Sequence, residues 1–263
     1  MLVRVDIIPK NIIPYLSGDV PIKFHSEFKH GFNLKVEDQI IYIGGRRGST
    51  SIYVDPHLLK RVILKNTIPN VIIADKVIHL KEWGLMIDFK HAQIEDYQVK
   101  PLGLSSQKQT VIKDIIVEKN YPTGFDVSTN VLVEQLSQHY STSSDHFLNF
   151  VIGRGKGLTP SGDDVIIGML FLHAMTPYLD IEFFKVLNEL LAQNKTNEIS
   201  QSFIREAIEG RFYQVLLDIY KANDDREIIE KRITKMLAFG SSSGKDTLAG
   251  ILLGLMILEK ENV

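Results

Sequence analysis

The sequence predicts an α+β protein with a β-rich domain at residues 1–102 and an all-helical domain at residues 103–263. Two observations predict this division. In the first part, short β-branched segments alternate with turn residues, whereas in the second part apolar residues recur at helical spacing. With 263 residues, 44% of them hydrophobic and 24% charged, the chain has enough apolar material for one large or two modest cores.

Four segments before Leu102 carry the strand pattern, because β-branched and other apolar residues run between Gly, Pro, Asn and Asp. These segments are residues 39–43, 51–54, 70–73 and 85–89. We expect the first domain to form an antiparallel sheet.

Helical periodicity begins after Ser105-Ser106 and continues almost to the end of the chain. The clearest segments are residues 183–191, 199–208, 212–219, 228–237 and 248–258. The spacing predicts about seven to nine helices joined by short polar connections.

Composition excludes several classes of protein. The formal net charge is −2 without a basic stripe, which argues against nucleic acid as a partner, and the lack of cysteine excludes disulfides and thiolate metal sites. The apolar runs at residues 165–179 and 247–258 are shorter than a membrane span, and the first residues do not resemble a secretory signal. We therefore expect a cytoplasmic protein without membrane association.

The segment GRGKGLTPSGDD, at residues 153–164, is the first candidate site. Glycines at alternate positions permit close approach to a ligand, and Ser161 is predicted to cap the helix that follows. Asp163 and Asp164 fall in its first turn. Ordinary capping chemistry would explain Asp163 taken alone, but a glycine-rich approach to a helix start is typical of anion binding.

A second segment repeats the first. SGKDTLAG at residues 243–250 has the same Ser-Gly-x-Asp-x-x-x-Gly frame as SGDDVIIG at residues 161–168. We expect two central helices whose backbones approach at Gly168 and Gly250 and whose starts share one site, with Asp164 and Asp246 as paired carboxylates. Two unrelated caps on two core helices are the alternative.

Three blocks in order resemble the AllH-like subunit family of oxamate carbamoyltransferase, a bacterial family formerly described only as a domain of unknown function. The blocks are residues 155–164 with Gly168, residues 196–200 with Ala207, Gly210 and Phe212, and residues 243–250. Two positions depart from the family pattern, since Lys156 stands where proline is common and Ser241 where histidine is common.

The resemblance implies a role in anaerobic purine (allantoin) breakdown. It implies transfer of a carbamoyl group between oxamate and phosphate, with oxalurate or carbamoyl phosphate as product. It also implies partner subunits, because the AllH-like chain is one of three.

The site residues are assigned from their chemistry. We expect the carboxyl groups of Asp163, Asp164 and Asp246 to be catalytic, to orient a carbamoyl amino group or to hold Mg²⁺, although no cofactor is required by the sequence. Arg154 and Lys156 would add positive charge. The predicted substrate-binding residues are Gly155, Gly157, Thr159, Ser161, Gly162, Thr196, Asn197, Ser200, Ser241, Ser242, Ser243, Gly244 and Lys245.

Two other functions fit the same residues. An all-helical hydrolase would bind Mg²⁺ with aspartates at helix ends, and a non-catalytic subunit would bind a small anionic ligand or hold partner subunits together.

Overall fold

The computed structural model describes residues 1–18, 20–59 and 67–261, and it confirms the α+β class. The chain divides into two compact units, Met1–Gln98 and Val99–Val263. The division predicted from the sequence lies at residues 102 and 103.

In its described residues, the first unit contains two sheets. Its elements in chain order are β1 (Leu2–Arg4), β2 (Ile7–Pro9), a 3₁₀ helix (Lys10–Leu16), β3 (Ile22–Phe28), β4 (Gly31–Val36), β5 (Gln39–Gly44), β6 (Ser51–Tyr53), a short α1 (Pro56–Leu59), β7 (Val71–Ala74), β8 (Val77–Leu80), β9 (Leu85–Asp88) and β10 (Gln93–Glu95). The strand orders are β1-β9-β8-β7 and β10-β2-β6-β5-β4-β3. The four predicted strand segments are confirmed as β5, β6, β7 and β9.

The expectation of an antiparallel sheet is only partly right. Among the described strands, three pairs run parallel, namely β1 with β9, β2 with β10, and β5 with β6. The first two pairs join strands far apart in sequence, so no hairpin turn determines their direction. Phe32, Leu34, Ile41, Ile52 and Ile87 are fully buried in the core of this unit.

The second unit is helical in its described residues. Its helices are α2 (Ser106–Lys119), α3 (Thr129–Thr142), α4 (Ser144–Val151), α5 (Ser161–Met175), α6 (Ile181–Ala192), α7 (Glu198–Ile208), α8 (Gln214–Tyr220), α9 (Arg226–Leu237) and α10 (Ser243–Glu261). These nine helices agree with the predicted seven to nine. The predicted start of α2 is also confirmed, because the Ser105 hydroxyl accepts a hydrogen bond from Lys108 N at 3.0 Å.

Helices α5 and α10 pack against each other at the centre of this unit, and nearly every residue of α5 is buried. A Cβ atom on Gly168 would overlap the Thr247 carbonyl oxygen, and one on Gly250 would overlap that of Val165. The predicted close approach of the two backbones is therefore confirmed. In the described part of the chain, no helix combines the length and apolar character that a membrane crossing needs.

Candidate functional site

Residues 161–164 and 243–246, here called the paired helix starts, are built in the same way. A Cβ atom on Gly162 would overlap the carbonyl oxygen of Val151 at the end of α4, and one on Gly244 would overlap that of Met236 in α9. Each glycine N–H also donates to the connection before its own helix, with Gly162 N to Arg154 O and Gly244 N to Phe239 O both at 2.9 Å. The sequence repeat is therefore also a structural repeat.

Ser161 does not cap α5, which corrects the sequence prediction. The N-cap residue is Pro160, whose carbonyl oxygen accepts from Asp163 N at 2.9 Å and from Asp164 N at 3.2 Å. Ser161 is the first helical residue, and its buried Oγ atom has no hydrogen-bond partner in the structure. Because the extended residue before the helix is proline, the capping position falls one residue earlier and the serine hydroxyl is available for another role.

The start of α5 offers side chains rather than backbone amides to a ligand. The N–H groups of Gly162, Asp163 and Asp164 all donate to carbonyl oxygens within the protein. An anion held by these amides, as the glycine-rich segment suggested, would have to displace those bonds. The hydroxyl and carboxyl groups of the paired helix starts therefore define the chemistry of this site.

Asp163 faces α7. Its carboxylate accepts a hydrogen bond from Gly153 N at 2.7 Å and another from the Thr196 hydroxyl. Burial raises the pKa of Asp163, while the nearby Thr196, Gly153 and Ser200 groups act in the opposite direction. Asn197 caps α7 by accepting from Ser200 N at 3.1 Å. The hydrogen bonds of Asp163 to Gly153 and Thr196 thus connect the start of α7 to the glycine-rich segment.

Asp164 belongs to a hydrogen-bonded chain between the two helix starts. Its Oδ2 atom accepts from Thr159 Oγ1 at 3.1 Å, and Thr159 Oγ1 lies 3.0 Å from Ser243 Oγ. Burial raises the pKa of Asp164 well above its ordinary range, and the negative charge of Asp246 raises it further. The charge of Asp246 thus acts on Asp164 within the same buried region.

Asp246 is fully buried at the start of α10 but is only partly bonded. Its Oδ1 atom accepts from Gly124 N at 2.8 Å, whereas its Oδ2 atom has no partner in the structure. Burial raises the pKa of Asp246, and the hydroxyls of Ser161 and Ser242 and the charge of Lys245 oppose that shift.

The connection between α2 and α3, at residues 120–128, also lies against the paired helix starts. The sequence did not predict this. A Cβ atom on Gly124 would overlap Ser161 Oγ and would lie 2.8 Å from both Asp246 Oδ2 and Ser242 Oγ. The absence of a side chain at Gly124 therefore lets this connection approach three polar atoms at once. The only sequence signal is the Pro-Thr-Gly turn before α3, which resembles any other turn.

The remaining predicted residues lie around this centre. Gly155 and Gly157 have φ of +110° and +112°, a region that favours glycine, in a solvent-exposed stretch with Lys156. The Arg154 guanidinium stacks on the Phe150 ring at 3.8 Å. At the other helix start, Ser241 is exposed, and Ser242, Ser243 and Lys245 are partly exposed and form the rim.

Asp163, Asp164 and Asp246 do not form a three-carboxylate cluster in the described part of the chain. Across residues 1–18, 20–59 and 67–261, no group of three or more His, Asp or Glu side chains is placed to hold a metal ion. Asp163 faces Thr196 and Gly153 and does not join the other two carboxylates. The three carboxyl groups considered from the sequence therefore do not converge on one Mg²⁺ position in the described residues.

Two histidines of the second unit make well-defined contacts. His173 is half-buried, and its Nδ1 atom accepts from Tyr178 N at 3.1 Å and Leu179 N at 2.9 Å, so the side chain is a satisfied part of the core. His139 Nδ1 lies 2.9 Å from His146 Nε2, a pairing between α3 and α4 that the spacing did not suggest.

The second unit is thus a helical domain whose two central helices begin at one buried polar site. Residues 151–255, which contain all three sequence blocks and both helix starts, match the family model described as oxamate carbamoyltransferase subunit AllH. The match confirms the family resemblance over this segment and associates the chain with carbamoyltransferase subunits. No solved structure matches the chain.

Proposed function

We propose that this chain is a subunit of a carbamoyltransferase of anaerobic purine breakdown, and that it binds small anionic substrates at the paired helix starts. In that reaction the carbamoyl group of oxalurate passes to phosphate, which gives oxamate and carbamoyl phosphate. The observation that carries the proposal is the pair of buried atoms without partners, Ser161 Oγ and Asp246 Oδ2. Buried polar atoms are nearly always hydrogen-bonded, so two of them below a partly exposed polar rim are typical of a ligand site.

The two kinds of polar group would bind different parts of the substrate. Carboxyl groups accept hydrogen bonds, so Asp164 and Asp246 suit the N–H groups of a carbamoyl or amide group. The hydroxyls of Ser242 and Ser243 and the Lys245 ammonium, at the positive end of α10, suit carboxylate or phosphate oxygens. Donors placed around the carbonyl oxygen would stabilise the charge that develops there during carbamoyl transfer.

The chain would work with other subunits in the cytoplasm. The matching family is named as one subunit of an enzyme, which supports partner chains that complete the active site. Asp163, Thr196 and Ser200 would then hold the glycine-rich segment in place, so that its exposed residues can face substrate or a partner.

A thermal-shift experiment on the purified chain, with and without its partner subunits, tests the proposal. The ligands are carbamoyl phosphate, phosphate, oxamate and Mg²⁺, alone and in pairs. A ligand at about 100 times its dissociation constant stabilises the folded state by roughly 2.7 kcal/mol, and for a protein of this size the melting temperature should rise by several degrees.

The expected result is a shift with oxamate or carbamoyl phosphate that is reduced in Ser242→Ala. The matched control is Ser141→Ala, which removes an exposed hydroxyl of α3. A shift with Mg²⁺ alone would favour a hydrolase instead. If the chain shows no shift with any ligand, with its partners present or absent, it is a scaffolding subunit and the proposal is wrong.

A further inference from the structure

At the paired helix starts, the serine of each helix lies beside the carboxyl group of the other helix. The Ser243 hydroxyl acts on the pKa of Asp164, and the Ser161 hydroxyl acts on that of Asp246. The site therefore has two related halves. The Asp164 half consists of Asp164, Thr159 and Ser243, and the Asp246 half consists of Asp246, Ser161 and Gly124.

The two halves differ in how completely their hydrogen bonds are satisfied. In the Asp164 half, Thr159 joins the carboxylate to the opposite serine with bonds of 3.1 and 3.0 Å. In the Asp246 half, the position equivalent to Thr159 is Ser241, which is exposed. Both Ser161 Oγ and Asp246 Oδ2 remain without partners there, although the two residues are 1% and 0% exposed.

We infer that the Asp246 half, and not its Asp164 counterpart, binds the amide end of the ligand, and that this end is a primary amide group. This inference rests on the proposed function, because it assigns one part of the substrate to one half of the same site. The Asp246 oxygen needs a hydrogen-bond donor, and the Ser161 hydroxyl can donate to an acceptor beside it. A primary amide carries an N–H donor and a carbonyl acceptor side by side, so one planar group satisfies both atoms.

A carboxylate would suit this position less well. It has no hydrogen to donate, and it would place a negative charge next to Asp246, which already lies near Asp164. Gly124 contributes by donating its N–H to Oδ1 at 2.8 Å, which leaves Oδ2 as the oxygen for the ligand. Gly124 is thus a positioning residue for Asp246.

The experiment compares two ligands of similar size, oxamate and oxalate, that differ by an amide in place of one carboxylate. Their dissociation constants are measured by titration calorimetry on the full chain with its partner subunits. We expect oxamate to bind at least tenfold more tightly than oxalate. If oxalate binds as tightly as oxamate, the amide assignment is wrong, while anion binding at this site still stands.

Matched variants from the two halves identify the half that binds. Asp246→Asn should weaken oxamate binding at least tenfold, because Gly124 N–H holds an oxygen at Oδ1 and the new NH₂ group would face the ligand's own N–H. Ser161→Ala should act in the same direction. The counterparts Asp164→Asn and Ser243→Ala should weaken oxamate binding by a clearly smaller factor than Asp246→Asn and Ser161→Ala do.

Equal losses in both halves, or a larger loss in the Asp164 half, would overturn the inference without touching the proposed function. If the unaltered assembled enzyme binds neither compound, the proposed function fails and the inference fails with it. A melting curve for each variant separates loss of binding from loss of folding.

Discussion

The Asp164 carboxyl group is buried next to a second carboxyl group, and this determines how it responds to pH. Its folded-state pKa lies well above the ordinary value because of burial and the charge of Asp246. A group whose pKa is raised on folding contributes stability below its unfolded pKa of about 4, and that stability is lost as the pH rises through the folded value.

Asp164→Asn should therefore melt at a higher temperature than the unaltered protein at pH 8. The gain should be about 1–2 kcal/mol, or roughly 3–6 °C, because the amide needs no ionisation and the neighbouring hydroxyls can donate or accept. The difference should shrink as the pH falls towards 4. Scanning calorimetry over this range measures it, with the exposed Asp114→Asn as the control. An equal or lower melting temperature at pH 8 would contradict this account.

A change at Gly124 tests how closely the connection at residues 120–128 approaches Ser161 and Asp246. Gly124→Ala places a methyl group on Ser161 Oγ and close to Asp246 Oδ2, so the connection should move away and weaken the bond to Asp246. We expect a loss of about 1–3 kcal/mol in the free energy of unfolding, measured with urea. The double variant Gly124→Ala/Ser161→Ala should recover part of this loss, because one of the overlapping atoms is gone. If the effects of the two single changes simply add in the double variant, residue 124 does not pack against the Ser161 hydroxyl.

Among the secondary-structure elements, helices were predicted better than strand directions. Helical periodicity is a local property of the chain, so the segments that became α6, α7, α9 and α10 could be recognised from their own residues. The parallel pairing of β1 with β9 depends on residues about 80 positions apart, which no local pattern encodes. The same distinction holds at the site, where the paired aspartates follow from a repeat but Gly124 reaches Asp246 across the fold.

The contact between α5 and α10 depends on two glycines, and it can be tested within one helix. Gly250→Ala puts a methyl group against the Val165 carbonyl oxygen, which belongs to the backbone of α5 and cannot move as a side chain can. We therefore expect a loss of about 3 kcal/mol in the free energy of unfolding. At Gly254 the added methyl group meets the Tyr178 ring and Leu172 side chain instead. Because side chains can move, Gly254→Ala should cost about 1 kcal/mol. If the two variants lose equal stability in chemical denaturation, the contact with the Val165 carbonyl oxygen matters no more than the side-chain contacts at Gly254.

At the scale of the whole molecule, the site and the family match both lie in the second unit, Val99–Val263. This unit has its own buried apolar core, which includes Ile166, Leu170, Leu252 and Leu255. Domains with a core of their own can fold independently.

Residues 99–263 produced alone should therefore be helical and should unfold cooperatively. Far-ultraviolet circular dichroism and thermal denaturation check this, and residues 1–98 produced separately should give a sheet spectrum instead. A fragment 99–263 that binds hydrophobic dyes and melts without a transition would show that it needs the rest of the chain.

The glycine contacts between α5 and α10 also bear on the thermodynamics of recognition. Because Gly168 and Gly250 bring the backbones together, the helices have little room to slide or rotate against each other. The conformational entropy of aligning the two serine–aspartate sets is therefore lost when the chain folds, not when a ligand arrives. A preorganised site of this kind binds with a smaller entropic cost. Even a ligand with few atoms can then be held, as the proposed binding of a two-carbon acid requires.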